Sequence, residues 1–188
     1  MSDLLYPLEP APLLAVKSAR GNTEILPIVE PSGLVIGRST RKACHTHPEL
    51  LHPVVHLHII DRYGRIYLQK RSALKKLYPG RWDTAVGGHI GYGESISEAL
   101  MREAREELNF YDFNPVFLDS YEYRSSVELE LICVFACVGN FKIDPHNIEV
   151  DQGRFFTDEE IKGGDQEAFT PNFLSEYERF KPAFEALL

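Results

Sequence analysis

The stretch GHIGYGESISEALMREAREELNF, residues 88–110, decides how this chain is read. Its first part is glycine-rich and without periodicity, and its second part is a strong helix. Ser95 followed by Glu98 makes a capping-box start. The run ISEALMREAREEL consists of good helix formers, and Asn109 tolerates the left-handed backbone on which helices end. The pattern predicts a helix over 96–108. At about 100° per residue, Glu103, Glu106 and Glu107 fall within one quarter-turn sector. Ile96, Leu100, Ala104 and Leu108 form the apolar stripe beside them, so three carboxylates share an edge between core and solvent, with Arg102 and Arg105 on the other side.

A glutamate-rich helix by itself signals a solvated face with Glu–Arg pairs worth a few tenths of a kcal/mol each. Two features add to that. Glu103 and Glu107 lie one turn apart and repel, a local cost that a divalent cation turns into attraction. The glycine-rich GGHIGYGE just upstream offers carbonyls and a flexible backbone that can complete a hard-metal site or approach a phosphate.

Outward from this unit, EILPIV (24–29) and GLVIGR (33–38) flank a turn-like Glu-Pro-Ser and predict an N-terminal hairpin. VVHLHII (54–60) and RIYLQK (65–70) predict a second hairpin. YPGRWD (78–83) reads as a loop and TAVGGHI (84–90) as a short strand. PVFLDSYEY (115–123) and VELELICVFACV (127–138) read as adjacent strands, GRFF (153–156) as a late strand, and residues 171–188 as a closing amphipathic helix. Mixed strands with two or three helices imply an α/β or α+β sandwich. At 188 residues a single domain is expected, residues 1–50 being an N-terminal extension and 51–188 the core; no structure is assigned to residues 1–20.

Hydrophobic residues at 44% and charged residues at 26% exclude disordered and fibrous classes. The net charge of −8 disfavours a binder of nucleic acid polymers, which needs a basic stripe to displace counterions. No stretch has the roughly 20 apolar residues of a membrane span, and the start shows no signal-peptide pattern, so the cytoplasm is expected. Cys133 and Cys137 lie in an apolar strand pattern and read as core thiols of a reducing compartment.

Gly88, Glu94 and then Arg102-Glu103-Ala104-Arg105-Glu106-Glu107-Leu108-Asn109-Phe110 resemble the signature of Nudix hydrolases, G-x5-E-x7-R-E-U-x-E-E-x-G-U with U apolar. Asn109 stands where the last glycine is usual, and Asn is the non-glycine residue best suited to a left-handed conformation. The strand order resembles that family from about residue 50 to 187. The resemblance implies an α/β/α sandwich with a mixed sheet, here carrying an N-terminal β extension. It also implies Mg²⁺ or Mn²⁺ held by Glu103, Glu106 and Glu107 with the Gly88 carbonyl, one glutamate also serving as base, and Glu94 and Arg102 bracing loop against helix. Glu149 stands where a further carboxylate is expected from a later loop. The implied activity is hydrolysis of a diphosphate linkage in a nucleoside diphosphate derivative or another small organic diphosphate, which suits positioned cations and an in-line water. A ligand sensor without turnover is a further alternative, though one with little reason to keep three glutamates.

HTHPELLH (45–52), YPGRWDTAVGGH (78–89) and VELELICVFA (127–136) resemble isopentenyl-diphosphate isomerases, which share the Nudix fold. Their separate metal centre uses three histidines and two glutamates, and His45, His52, His89, Glu128 and Glu130 stand in similar contexts. Their catalytic cysteine falls on Gly87 and their late tryptophan on Asn172, so the isomerase reading is the alternative and hydrolase the leading one. His56 and His58, isolated in an apolar strand, read as structural. Lys70, Arg71, Tyr78, Arg81, Trp82 and Tyr123 are candidates for holding the organic part of a substrate. A homodimer built partly from the N-terminal hairpin is expected, because residues 24–38 are apolar and would otherwise leave a β edge open.

Overall fold

The computed structural model describes residues 21–75, 77–143, 145 and 150–188. Glu149 therefore lies outside the described residues, as do residues 1–20. The first elements are β1 (Ile25–Val29), β2 (Val35–Thr40) and α1 (Arg41–Cys44). There follow β3 (Leu51–Ile60), β4 (Ile66–Arg71), β5 (Trp82–Thr84) and β6 (Val86–His89). Next come α2 (Ile96–Leu108), β7 (Val116–Arg124), β8 (Leu129–Val138) and β9 (Val150–Phe156). The last are α3 (Asp158–Gly163), a 3-10 turn at Gln166–Ala168 and α4 (Pro171–Ala186). No helix among the described residues is long and apolar enough to cross a membrane.

The fold is mixed α+β. β1 and β2 form their own antiparallel pair, Ile25 opposite Thr40 and Ile28 opposite Gly37. The other strands form one sheet in the order β5-β4-β3-β8-β7, with β6 paired to β3 and β9 to β4. β3 stands in the middle of that order and is buried at every position, the pattern expected of a strand covered on both faces. At the end of the order, β7 is mostly exposed.

Two compact units can be distinguished. One comprises the described chain up to Val55, Gly88–Leu100 and Asp119–Cys133; the other comprises His56–Gly87, Met101–Leu118 and the described chain from Val134 to Leu188. β3, β6, α2, β7 and β8 contribute residues to both. Leu26, Ile90, Leu100 and Ile132 are fully buried in the first unit, and Leu57, Ile59, Ile60, Leu68, Leu108 and Phe173 in the second.

Both expected hairpins form, the predicted helix spans 96–108, and the closing helix is α4. Three differences have local causes. YPGRWD is not all loop: Trp82 and Asp83 belong to β5, paired with Lys70 and Gln69 of β4. Asp83 accepts hydrogen bonds from Arg71 (2.8 Å) and from Thr170 (2.7 Å), the N-cap residue of α4. α1 and α3, too short for an apolar period, are fixed by caps instead. Thr40 accepts from the Ala43 N–H, and Thr157 with Glu160 makes a full capping box.

Candidate functional site

The Glu98 carboxylate accepts from the Ser95 N–H and hydroxyl, and the Glu98 N–H donates to the Ser95 hydroxyl oxygen, closing the start of α2 as a capping box. At the other end Asn109 takes φ 50°, the left-handed conformation expected of it. Between these ends the three glutamates are graded in exposure: Glu106 is exposed, Glu103 half-buried and Glu107 buried. Arg102 does not stay on the opposite side of the helix. Its guanidinium donates to Glu103 and to Glu106, the latter at 3.4 Å.

Glu107 is the inner member. Its Oε2 accepts from the Gln69 side chain of β4 at 3.0 Å and from the Gly87 N–H of β6 at 3.2 Å. Burial, reinforced by the Glu103 carboxylate, pushes the Glu107 carboxyl up to about 8. A carboxylate buried beside another is costly without a cation, and an all-oxygen donor set suits hard divalent ions such as Mg²⁺ or Mn²⁺. The Glu103–Glu106–Glu107 edge therefore fits such an ion. Gly88, the other expected ligand, follows Gly87 in β6 and is half-buried.

Glu94 accepts from the Gly91 N–H at 2.9 Å, so within its own unit it braces the glycine-rich loop. The same loop is tied to the N-terminal hairpin: the Tyr92 N–H donates to the Ile25 carbonyl at 2.9 Å, and Arg38 lies 5.2 Å above the Tyr92 ring.

A second cluster forms from the expected histidines. His45 follows α1 as its C-cap, His52 is the second residue of β3, and His89 ends β6. Pairing of β6 with β3, continued by Ile90 N–H to the Pro53 carbonyl at 3.1 Å, brings His89 against His52 with the rings 11° from parallel. Nitrogens of the three rings lie within 4.8 Å of one another. His45 Nε2 is 3.0 Å from His89 Nε2, and His45 Nδ1 is 3.0 Å from Glu128. Glu128 is presented by the β7–β8 turn, where Ser125 N–H donates to its carbonyl and its own N–H to the Ser125 hydroxyl. Burial would raise the Glu128 carboxyl, but the His45 contact outweighs it and holds the group below the usual carboxylate range.

His52 is the most telling member. Its Nδ1 lies 3.0 Å from the Leu50 carbonyl, which can only accept, so Nδ1 carries the proton. Nε2 is then a bare lone pair, and it is buried with no hydrogen-bond partner among the described residues. Burial lowers the His52 pKa and keeps the ring neutral. A neutral imidazole with one nitrogen oriented by a carbonyl and the other free is the form that binds metal. This cluster also fits a divalent ion, with Glu128 standing as the partner that orients His45. Glu130 is half-buried in β8.

His56 and His58, expected to be structural, meet a partner that was not foreseen. Both hydrogen-bond Glu176 of α4, His56 through Nδ1 at 2.9 and 3.0 Å and His58 through Nε2 at 3.0 Å. The sequence held a signal for it: a glutamate set on an apolar stripe with Phe173, Tyr177, Phe180 and Phe184, facing an H-x-H strand. Of the substrate-holding candidates, Arg71 pairs with Asp83, and Arg81 with Glu167 and the Phe169 carbonyl. Trp82 packs edge-on against Phe156, beneath Lys70 and Arg154. Tyr78 remains exposed.

Comparison with known proteins identifies the family and the fold. The NUDIX domain model matches residues 50–177. An uncharacterised Nudix hydrolase of Streptomyces coelicolor is 32% identical over 162 residues, covering 84% of this chain and 88% of the relative. The isopentenyl-diphosphate Delta-isomerase of Clavibacter michiganensis subsp. michiganensis is 29% identical over 146 residues, covering 74% of this chain and 75% of the relative. Among solved structures, DR0079 from Deinococcus radiodurans superposes with a TM-score of 0.69 at 25% identity, covering 83% of this chain and 98% of that one.

Proposed function

We propose, from the premise that this chain belongs to the Nudix family, that it is a metal-dependent hydrolase cleaving a diphosphate linkage in a nucleoside diphosphate derivative or another small organic diphosphate. The observation that carries this reading is the edge of α2, where buried Glu107 is fixed by Gln69 and Gly87 beside Glu103 and Glu106. These three carboxylates would hold the ion. Bound there, Mg²⁺ or Mn²⁺ would neutralise the charge of the diphosphate and make an attacking water more acidic. Gln69 and the Gly87 N–H fix one oxygen of Glu107, so the carboxylate is oriented before substrate arrives. Arg102, paired with Glu103 and Glu106, balances charge along the same edge. Glu94 keeps the glycine-rich loop in shape through Gly91. Glu149 remains a candidate from its position in the sequence. Cys44, Cys133 and Cys137 are buried free thiols pushed up to about 11, 12 and 12, inert groups that suit the cytoplasm.

The test is a panel of small diphosphates assayed with Mg²⁺ and with Mn²⁺. We expect turnover of at least one, and a loss of about a hundredfold or more in kcat for Glu106→Gln and Glu107→Gln with the circular dichroism spectrum unchanged. Parental rates in both variants would remove the helix from the site.

The His45–His52–His89 cluster favours a second reading, isomerisation of an isopentenyl diphosphate, and the isomerase relative supports it. Against it stands Gly87, which has no group to move a proton. Space does not explain the glycine, since a Cβ there would meet the His56 ring at 3.4 Å, an ordinary contact. We therefore expect metal at the cluster, seen as density bonded to at least two imidazoles at roughly 2.0–2.2 Å in crystals grown with Zn²⁺ or Mn²⁺. We expect no interconversion of isopentenyl and dimethylallyl diphosphates.

A further inference from the structure

The register of β4 divides its side chains between two faces of the sheet. Gln69 stands opposite Asp83 and reaches Glu107 of the carboxylate edge. Lys70, one residue on, stands opposite Trp82 of β5 and Gln152 of β9, so its side chain leaves from the other face. Arg154 of β9 shares that face, because its partner across the ladder is Leu68, two residues from Lys70. The two cations thus lie on the face opposite the group proposed to bind metal.

Trp82 is the floor beneath them, and its place is fixed. Its carbonyl accepts from the Thr170 N–H at 2.9 Å, its backbone bridges to Phe169, and its ring meets Phe156 edge-on with centroids 4.8 Å apart. The Lys70 ammonium lies 5.8 Å from the Trp82 ring centroid and the Arg154 guanidinium 5.7 Å from it, with Arg154 also 3.5 Å above the Phe156 ring. An indole attracts a cation, which accounts for each of them singly. It does not account for two like charges at one ring, which repel unless an anion joins them. Arg154 is answered by Glu160 at 2.8 Å, an exposed pair. Lys70 is half-buried and has no carboxylate partner among the described residues, in a chain whose acids outnumber its bases by 28 to 20.

The groups turned toward this place are donors: the Lys70 ammonium, the Arg154 guanidinium and the exposed Gln152 amide. A phosphoryl group carries a charge of about −1.5 to −2 at pH 7 and three acceptor oxygens, enough for a point charge, a planar fork and an amide together. We propose that Lys70, Arg154 and Gln152, above the Trp82 ring, form a binding site for a phosphoryl group, free or carried as a monophosphate ester, on the sheet face opposite the carboxylate edge. Hydrolysis of a diphosphate linkage yields that chemical class, so the site takes the product of the proposed reaction. Its meaning as a product site rests on the hydrolase reading; the binding itself does not.

Trp82 is the sole tryptophan of the chain, so its fluorescence reports on this place alone. The full chain is kept in EDTA, which leaves the carboxylate edge without a cation to hold phosphate. It is titrated with inorganic phosphate and, separately, with ribose 5-phosphate, against chloride at equal ionic strength, and calorimetry follows the same titrations. A saturable change in Trp82 emission is expected with at least one of the two phosphates and not with chloride. Lys70→Gln and Arg154→Gln should each weaken binding about tenfold or more by calorimetry, whereas Lys70→Arg, which keeps the charge, should stay within about threefold of the parent. Glu107→Gln should bind as the parent does, because that side chain serves the other face. Circular dichroism checks that each variant is folded. A response no different from chloride, parental affinity in both glutamine variants, or loss of binding in Glu107→Gln would overturn the site. Binding by the ester alone or by inorganic phosphate alone would sustain it and name the form it takes. Binding that survives in a chain turning over no diphosphate would keep the site and sink only the hydrolase reading, and turnover without any phosphate response would do the reverse.

Discussion

Gly87 and Gly153 are glycines for different reasons. At Gly153 a Cβ would lie 1.9 Å from the Tyr67 hydroxyl oxygen, because the buried Tyr67 ring crosses that position where β4 pairs with β9. The Tyr67 ring is buried, so displacing it would disturb the packing around it. Gly153→Ala should destabilise the fold by about 3 kcal/mol, the upper end for overpacking, whereas Gly87→Ala should cost less than about 1 kcal/mol. Urea midpoints of the two variants against the parent would measure the difference, and equal midpoints would refute the reading. At this scale the sequence was legible where spacing on one helix sufficed: Glu103, Glu106, Glu107 and left-handed Asn109 were all readable from α2. Glu176 was not, since its partners are more than a hundred residues away and only the paired strand and helix bring them together. The orphaned Nε2 of His52 was equally hidden, because it depends on which ring nitrogen meets the Leu50 carbonyl.

Among the elements, periodicity served those long enough to show it. α2, α4, β3 and β8 were readable, while α1, α3 and β5 span one turn or a few residues and are decided by caps and neighbours. α3 illustrates how such a short element is held. Asp158 at its start takes contacts from Lys181 (2.6 Å) and Tyr177 (2.8 Å) of α4 and from Lys162 (3.1 Å) of its own last turn. The Lys181 ammonium foremost lowers the Asp158 carboxyl from 3.8 to about 2. The folded value lies below the unfolded one, so this contribution is present above about pH 4 and is lost as the pH falls toward 2. Asp158 is partly exposed, and screening keeps the effect small. Asp158→Asn should therefore be less stable than the parent at pH 6, with the gap in urea midpoint closing as pH falls from 4 to 3. A gap that stays constant with pH would show that these contacts do not depend on the charge.

For the whole molecule, membership in the family was legible from the stretch 88–110 and the mixed α+β architecture from the strand and helix patterns around it, whereas the N-terminal hairpin was legible only as a pair of strands. β1 and β2 form a separate sheet with Ile25, Leu34 and Ile36 exposed at 41, 56 and 60%. Apolar side chains on an open two-stranded edge suit pairing with a second copy. We expect a homodimer by light scattering at micromolar concentration, reduced to a monomer by Leu34→Lys/Ile36→Lys; a monomeric parent would count against it. The bond from the Tyr92 amide to the Ile25 carbonyl carries a consequence of its own. Amide hydrogens trade with solvent deuterium only when their bond opens, so Tyr92 is a natural clock for the hairpin's docking. Its exchange should be slow in the intact chain and should accelerate by an order of magnitude or more when β1 is unseated by Leu26→Asp. If the hairpin also steadies on pairing with a second copy, the same hydrogen will exchange more slowly as protein concentration rises, and the glycine-rich loop will report assembly from within its own backbone.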